Sequence, residues 1–163
     1  MSTISSEPRV NLKAITAEVS AAMRALHLSS VESATRAGLP AALQELVRIR
    51  VSQINGCEFC IDMHTRDARV GGESDDRVHA LSGWRESALF DGRERAALAL
   101  AEAVTLVHVD RVPDEVYQTA AAEFDEDALA ALIWVCTVIN SYNRIAISTR
   151  MVPAAQVSTG TRG

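Results

Sequence analysis

At 163 residues, 48% of them apolar and 23% charged, the chain is long enough to bury a substantial single core without cysteine staples. A formal charge of −5 and the lack of a basic stripe exclude an electrostatic footprint for nucleic acid or an anionic membrane. Residues 1–20 lack the apolar core of a signal peptide, and no apolar run approaches the roughly 20 residues that span a bilayer, so a cytoplasmic location is expected.

Apolar residues recur with helical period and no alternating strand pattern appears, which predicts an all-α fold of about seven helices. Ala14 to Leu26 reads as a first amphipathic segment with Ile15, Val19, Met23 and Leu26 on one side. Gly38 stops a weaker second segment, and Pro40 suits the first position of the next helix, Pro40 to Ile54, with Leu43, Leu46, Val47, Val51 and Ile54 on a stripe. Asn55-Gly56 is a turn signal, and a new helix opens at Cys57 and runs to Val70 before Gly71-Gly72. Ser74 and Asp75 cap a short helix with Val78, Leu81 and Trp84, and Asp91 to Glu94 reads as a capping box for a helix to Val107. Val112-Pro113-Asp114 starts another. Asp125-Glu126-Asp127 places negative charge at the start of a long helix through Cys136 and Ile139 to Thr149. One domain is expected over residues 1–155, with a flexible tail over 156–163.

The chemistry concentrates in Cys57-Glu58-Phe59-Cys60 and His64. On a helix, Cys57, Cys60, Ile61, His64 and Ala68 share one face, so the two sulfurs can pair with little backbone movement. Free amides at the helix start favour a thiolate, and an imidazole one turn below Cys60 can move protons. If the helices on either side of Asn55-Gly56 fold back on each other, Glu45 meets His64 and can orient it.

Two other readings of these residues are open at this stage. Cys57, Cys60, His64 and Glu45 offer four metal ligands, although the second closely spaced pair usual for zinc is missing. The thiols can also be plain buried core residues. A c-type haem is excluded, because Ile61 and not histidine follows Cys60. Cys136 reads as core, Trp84 and Trp134 as core or interface anchors, and Arg48/Arg50 as a solvated or interface face able to steer an acidic donor. Apolar residues flanking the site are expected to line a pocket suited to an organic hydroperoxide. His27, His79 and His108 have no visible partner and receive no role.

Arg50-Val51-Ser52-Gln53-Ile54-Asn55-Gly56-Cys57 with Cys60-Ile61-Asp62-Met63-His64-Thr65, together with Glu45 eleven residues before Cys57, resembles the AhpD-like alkylhydroperoxidase branch of the carboxymuconolactone decarboxylase superfamily. Trp84-Arg85-Glu86, Glu94 to Ala97 and Val112-Pro113-Asp114 resemble it too, so the likeness spans Leu43 to Ile147. The resemblance implies an AhpD-like helical domain assembled as a homo-oligomer, a trimer or hexamer. It further implies a thiol-dependent peroxidase with no bound cofactor or metal, re-reduced by a lipoyl- or thioredoxin-like dithiol donor. Cys60 would attack the peroxide, Cys57 would resolve the sulfenic acid as a disulfide, and Glu45 and His64 would relay protons. The family prototype carries a second histidine where Phe59 stands. A different class of function, a non-catalytic redox sensor or small-molecule binder of the same superfamily, is the alternative.

Overall fold

A computed structural model of the chain describes residues 9–153, so the expected tail lies outside the described residues. Among the described residues there are nine α-helices, one 3-10 turn and no strand. The all-α expectation holds, and the surplus over about seven helices comes from two four-residue pieces.

The first of these is α1 (Leu12–Ile15), which the Asn11 side chain caps by accepting from the Ala14 N–H at 3.1 Å. The two segments read between Ala14 and Gly38 are instead one twenty-residue helix, α2 (Ala17–Arg36), ended where Gly38 adopts φ +70°. Its predicted apolar stripe does not face the core. Ile15 is 69% exposed and Val19 61% exposed, whereas small residues near the other end, Ser30 and Ala34, are buried. Helix α2 docks through that small-residue end, where close approach is cheap, and leaves the larger side chains outside.

Pro40 is the N-cap of α3 (Ala41–Asn55) and not its first residue. At the other end the chain closes a Schellman motif. Gly56, at φ +69°, donates its N–H to the Gln53 carbonyl at 3.2 Å, and Cys57 donates to the Ser52 carbonyl at 2.9 Å. The same Cys57 is the N-cap of α4 (Glu58–Val70). One residue therefore ends one helix and begins the next, which reverses the chain and lays α3 along α4.

Ser74 caps α5 (Asp75–Ala80), and a 3-10 turn over Leu81–Glu86 follows. Asp91 and Glu94 form both bonds of the expected capping box on α6 (Gly92–Thr105). That helix stops at Thr105 rather than Val107, and α7 (Val107–Asp110) is the second short piece. Then come α8 (Asp114–Glu123), with Pro113 as N-cap, and α9 (Glu126–Thr149), capped by the Asp125 side chain on the Ala128 N–H at 2.8 Å.

Helix α3 is the centre of the fold because it is apolar on two sides. Leu43, Val47 and Val51 pack with Leu100, Leu132, Val135 and Ile139 of α6 and α9 in the larger core cluster. Leu46 and Ile49 face a second cluster with Leu81, Trp84, Phe90 and Leu98. Helix α9 has an 18-residue stretch of mean hydropathy 1.3, long and apolar enough by composition to cross a membrane, contrary to the sequence reading. Its length is instead used against α2, α3 and α6, with Leu132, Val135, Cys136 and Ile139 buried.

Candidate active site

The reversal at Gly56 brings the sequence-predicted residues together. Cys57 and Cys60 are 1% and 2% exposed and unbridged. His64, on the buried face of α4 one turn past Cys60, donates through Nδ1 to Glu45 Oε2 at 2.8 Å; with an ionised carboxylate as partner, Nδ1 carries the hydrogen and Nε2 is free to exchange a proton. The other Glu45 oxygen takes Arg48 Nη1. Burial pushes the Glu45 carboxyl up, but the hydrogen bond from His64 and the Arg48 charge together bring it below the ordinary carboxylate range.

Arg48 and Arg50 are not a solvated face. Arg48 is 5% exposed and also donates to Gln44 Oε1 at 3.1 Å, while Arg50 pairs with Glu102 at 2.8 Å. Both are forced inward because α3 is packed on two sides, and each finds a carboxylate there. Glu102 also accepts from the Nε1 of buried Trp84 at 2.9 Å, whereas Trp134 is half exposed.

The two thiols are not equivalent. Sequence spacing favours Cys60 as the thiolate, nearer His64. Beside each other, the two sulfurs share one proton, and this bond, against the cost of burial, holds Cys57 down to about 7. Cys57 makes no full capping bond, yet the backbone N–H of Cys60 in the first turn of α4 also favours its charged form. Cys60 is pushed up by the same bond and by burial. The pair thus shares one proton, resting on Cys60 with the charge on Cys57. Cys136 is fully buried and pushed up to about 12 by desolvation, a core thiol as expected.

The four-ligand metal grouping of both cysteines with His64 and Glu45 does not converge. The possible ligands that do gather are Glu45, His64 and Asp67, with no sulfur among them and with Arg48 already neutralising Glu45. The shallow cavity of about 600 Å³ against α4 is lined by Gly56, Glu58, Ile61, Asp62, Thr65, Arg66 and Arg69, and neither cysteine nor His64 is among its lining residues.

With this geometry in view, the chain matches the carboxymuconolactone decarboxylase family over residues 14–103. A solved Agrobacterium tumefaciens protein of unknown function, described as a candidate antioxidant defence protein AhpD, superposes with a TM-score of 0.83 at 32% identity, covering 90% of this chain and 98% of that one. The chain belongs to the carboxymuconolactone decarboxylase family, in its AhpD-like branch. The uncharacterised protein YdfG of Bacillus subtilis is 48% identical over 105 residues, 64% of this chain and 71% of its own length. An uncharacterised peroxidase-related protein from Silicibacter, 20% identical with a TM-score of 0.69 over 83% of this chain and 70% of that one, shares the fold.

This AhpD-like site has a part that sequence reading missed. Asn143 of α9 is wholly buried, donates through Nδ2 to Ser52 Oγ at 3.0 Å and accepts at Oδ1 from Asn55 Nδ2 at 2.9 Å. Its amide also favours the charged form of both thiols. The signal was present: Asn140 and Asn143 interrupt an otherwise apolar helix, and buried amides persist where they have partners. His27 was likewise left without a role. It lies edge-on to Tyr142 with ring centroids 5.7 Å apart and feels the charges of Arg48, His64 and Glu45, while His79 and His108 are exposed.

Proposed function

We propose that this AhpD-like protein is a thiol-dependent peroxidase acting on organic hydroperoxides. The observation that carries the reading is a buried pair of thiols sharing one proton, on the same helix face as an imidazole fixed by a carboxylate. Such a pair already holds about half of its Cys57 as thiolate at neutral pH, and the Glu45–His64 couple can supply a proton to an alkoxide leaving group.

The chemistry closes as follows. The proton shared by the sulfurs passes from Cys60 to Cys57, and the Cys60 thiolate attacks the terminal peroxide oxygen. The O–O bond breaks, and the alkoxide takes a proton from the His64–Glu45 relay and leaves as alcohol, with Cys60 as sulfenic acid. Cys57 then attacks the Cys60 sulfur, water leaves, and a Cys57–Cys60 disulfide remains. An external lipoyl- or thioredoxin-like dithiol restores both thiols by disulfide exchange.

A homo-oligomer, trimeric or hexameric, fits the same reading, since the outward stripe of Ile15, Val19 and Leu26 leaves apolar surface for another copy. A cytoplasmic location suits a site that must be re-reduced. The burial of both sulfurs favours a second reading, a redox sensor that oxidises once and slowly.

Stopped-flow mixing of the reduced protein with cumene hydroperoxide separates the two. Saturable turnover with a dithiol donor, abolished in Cys60→Ser, supports the enzyme, whereas slow stoichiometric oxidation without turnover rejects it. In Cys57→Ser a dimedone adduct on Cys60 assigns the attack; absence of that adduct, with one on Cys57 in Cys60→Ser, reverses the two roles.

A further inference from the structure

We propose that Asn143 is a catalytic residue of the thiol pair, its buried side-chain amide donating a hydrogen bond to the sulfur that carries the negative charge. The inference rests on reading Cys57 and Cys60 as a redox pair, and it adds a third anchor, from α9, to a site otherwise built on α3 and α4.

The Asn143 amide has hydrogens to spare. Its Nδ2 has two hydrogens, and Ser52 Oγ takes one at 3.0 Å. The second is left for sulfur: the Ser52 that takes the first also accepts the Cys57 N–H at its carbonyl at 2.9 Å, which sets the amide at the thiol turn, and the amide favours the charged form of both Cys57 and Cys60. A flip of the amide is disfavoured, because Asn55 Nδ2 donates to Oδ1 at 2.9 Å and would then face N–H groups. Asn55 is held in turn by Asn140 Oδ1 at 2.9 Å, and Asn140 Nδ2 reaches Thr105 Oγ1 at 3.1 Å. The donor toward sulfur is therefore preset by a chain of bonds linking α3, α6 and α9, and does not have to reorganise when charge appears.

The amide is neutral, so it acts by discrimination. An N–H bonds weakly to a thiol and much more strongly to a thiolate. As one proton is shared between the two sulfurs, a donor that favours charge on both stabilises it on whichever holds it. That is what a pair needs when the nucleophile at rest is Cys57 and attack comes from Cys60. A role confined to pinning α9 on the turn would be met by the bonds to Ser52 and Asn55 alone, and gives a different experimental outcome.

The test is the pH dependence of iodoacetamide alkylation of the reduced full-length protein, with Cys57 and Cys60 quantified separately by peptide mass spectrometry. Asn143→Asp keeps the size and can still accept from Asn55 and from the Ser52 hydroxyl, but turns a negative oxygen toward sulfur. The midpoint for Cys57 is expected to rise by at least one pH unit, with alkylation at pH 7 slowed about fivefold or more. Asn143→Ala, which removes the donor without adding charge, should move the midpoint the same way and serves if the aspartate variant does not fold. Asp91→Ala, which loosens the α6 cap away from the thiols, controls for loss of stability and should leave the midpoint in place. A folded Asn143→Asp or Asn143→Ala protein with an unmoved midpoint overturns the inference. The measurement needs no peroxide: a shifted midpoint in a protein inert to hydroperoxide would reject only the peroxidase reading, and turnover with an unmoved midpoint only this one.

Discussion

Replacing Glu45 with glutamine tests the site where structure and chemistry share a residue. One carboxylate serves two nearly buried groups, Arg48 and His64, whose side chains are each 7% exposed, and is itself 17% exposed. In Glu45→Gln the Arg48 guanidinium keeps only neutral acceptors, chiefly Gln44 Oε1 at 3.1 Å. Removing one partner of a buried ion pair costs about 3–5 kcal/mol, and since a glutamine oxygen still accepts one bond, the low end, about 3 kcal/mol, is expected. At roughly 2–4 °C per kcal/mol for a domain of this size, the melting temperature should fall by about 6–12 °C. Urea unfolding reads the effect as a lower midpoint with an unchanged slope. Arg48→Met in the same background should recover most of the loss, because the stranded charge goes with it. The pH dependence has a defined sign. The folded carboxyl lies below its unfolded value, so its contribution is complete above the ordinary carboxylate range and is lost as pH falls through the folded value. Glu45→Gln should therefore flatten the acid limb of the stability curve. A loss under about 1 kcal/mol, or no recovery in the double variant, would refute the view that Glu45 is the counter-charge of a buried arginine.

In the wild-type protein, alkylation of Cys57 should follow a midpoint near pH 7 and precede that of Cys60, since the proton shared by the pair holds Cys57 down and Cys60 up. At pH 7 about half of Cys57 is then thiolate, against a few per cent for an ordinary cysteine, and initial labelling at Cys60 would show that the shared proton is misplaced. Asp91→Ala removes the capping box of α6 and should cost about 1 kcal/mol in urea unfolding without changing that midpoint; a neutral substitution would mean the cap is idle.

Local chemistry made much of the fold legible in advance. Gly56 with Asn55 predicted a reversal, and the chain closes a Schellman motif there. Asp91 and Glu94 predicted a capping box, and both bonds form. The helical spacing of Cys60, His64 and Ala68 predicted a common face, and these three are the buried residues of α4. The antiparallel return of α3 predicted the Glu45–His64 contact, which is present at 2.8 Å. Each of these signals acts over a few residues, or across one turn whose geometry is nearly fixed.

The misreadings at the site and on α2 concern what a face meets once the helices pack. The stripe on α2 is apolar but points outward, because the helix docks through Ser30 and Ala34. Arg48 and Arg50 look like surface residues until α3 is enclosed on two sides and they must find Glu45 and Glu102. Asn143 lies 86 positions after Cys57, and no local rule connects them.

By itself the sequence determined that this protein is helical, where several of its caps and turns fall, and that two thiols, a histidine and a glutamate stand at the spacing of the AhpD-like branch. Caps, turns and helical period are short-range, and a linear chain records them. The tertiary structure alone made the two thiols unequal. That depends on their burial and on an amide brought in by α9, and an energy difference of this kind exists only after distant segments have excluded water from the same few cubic ångströms.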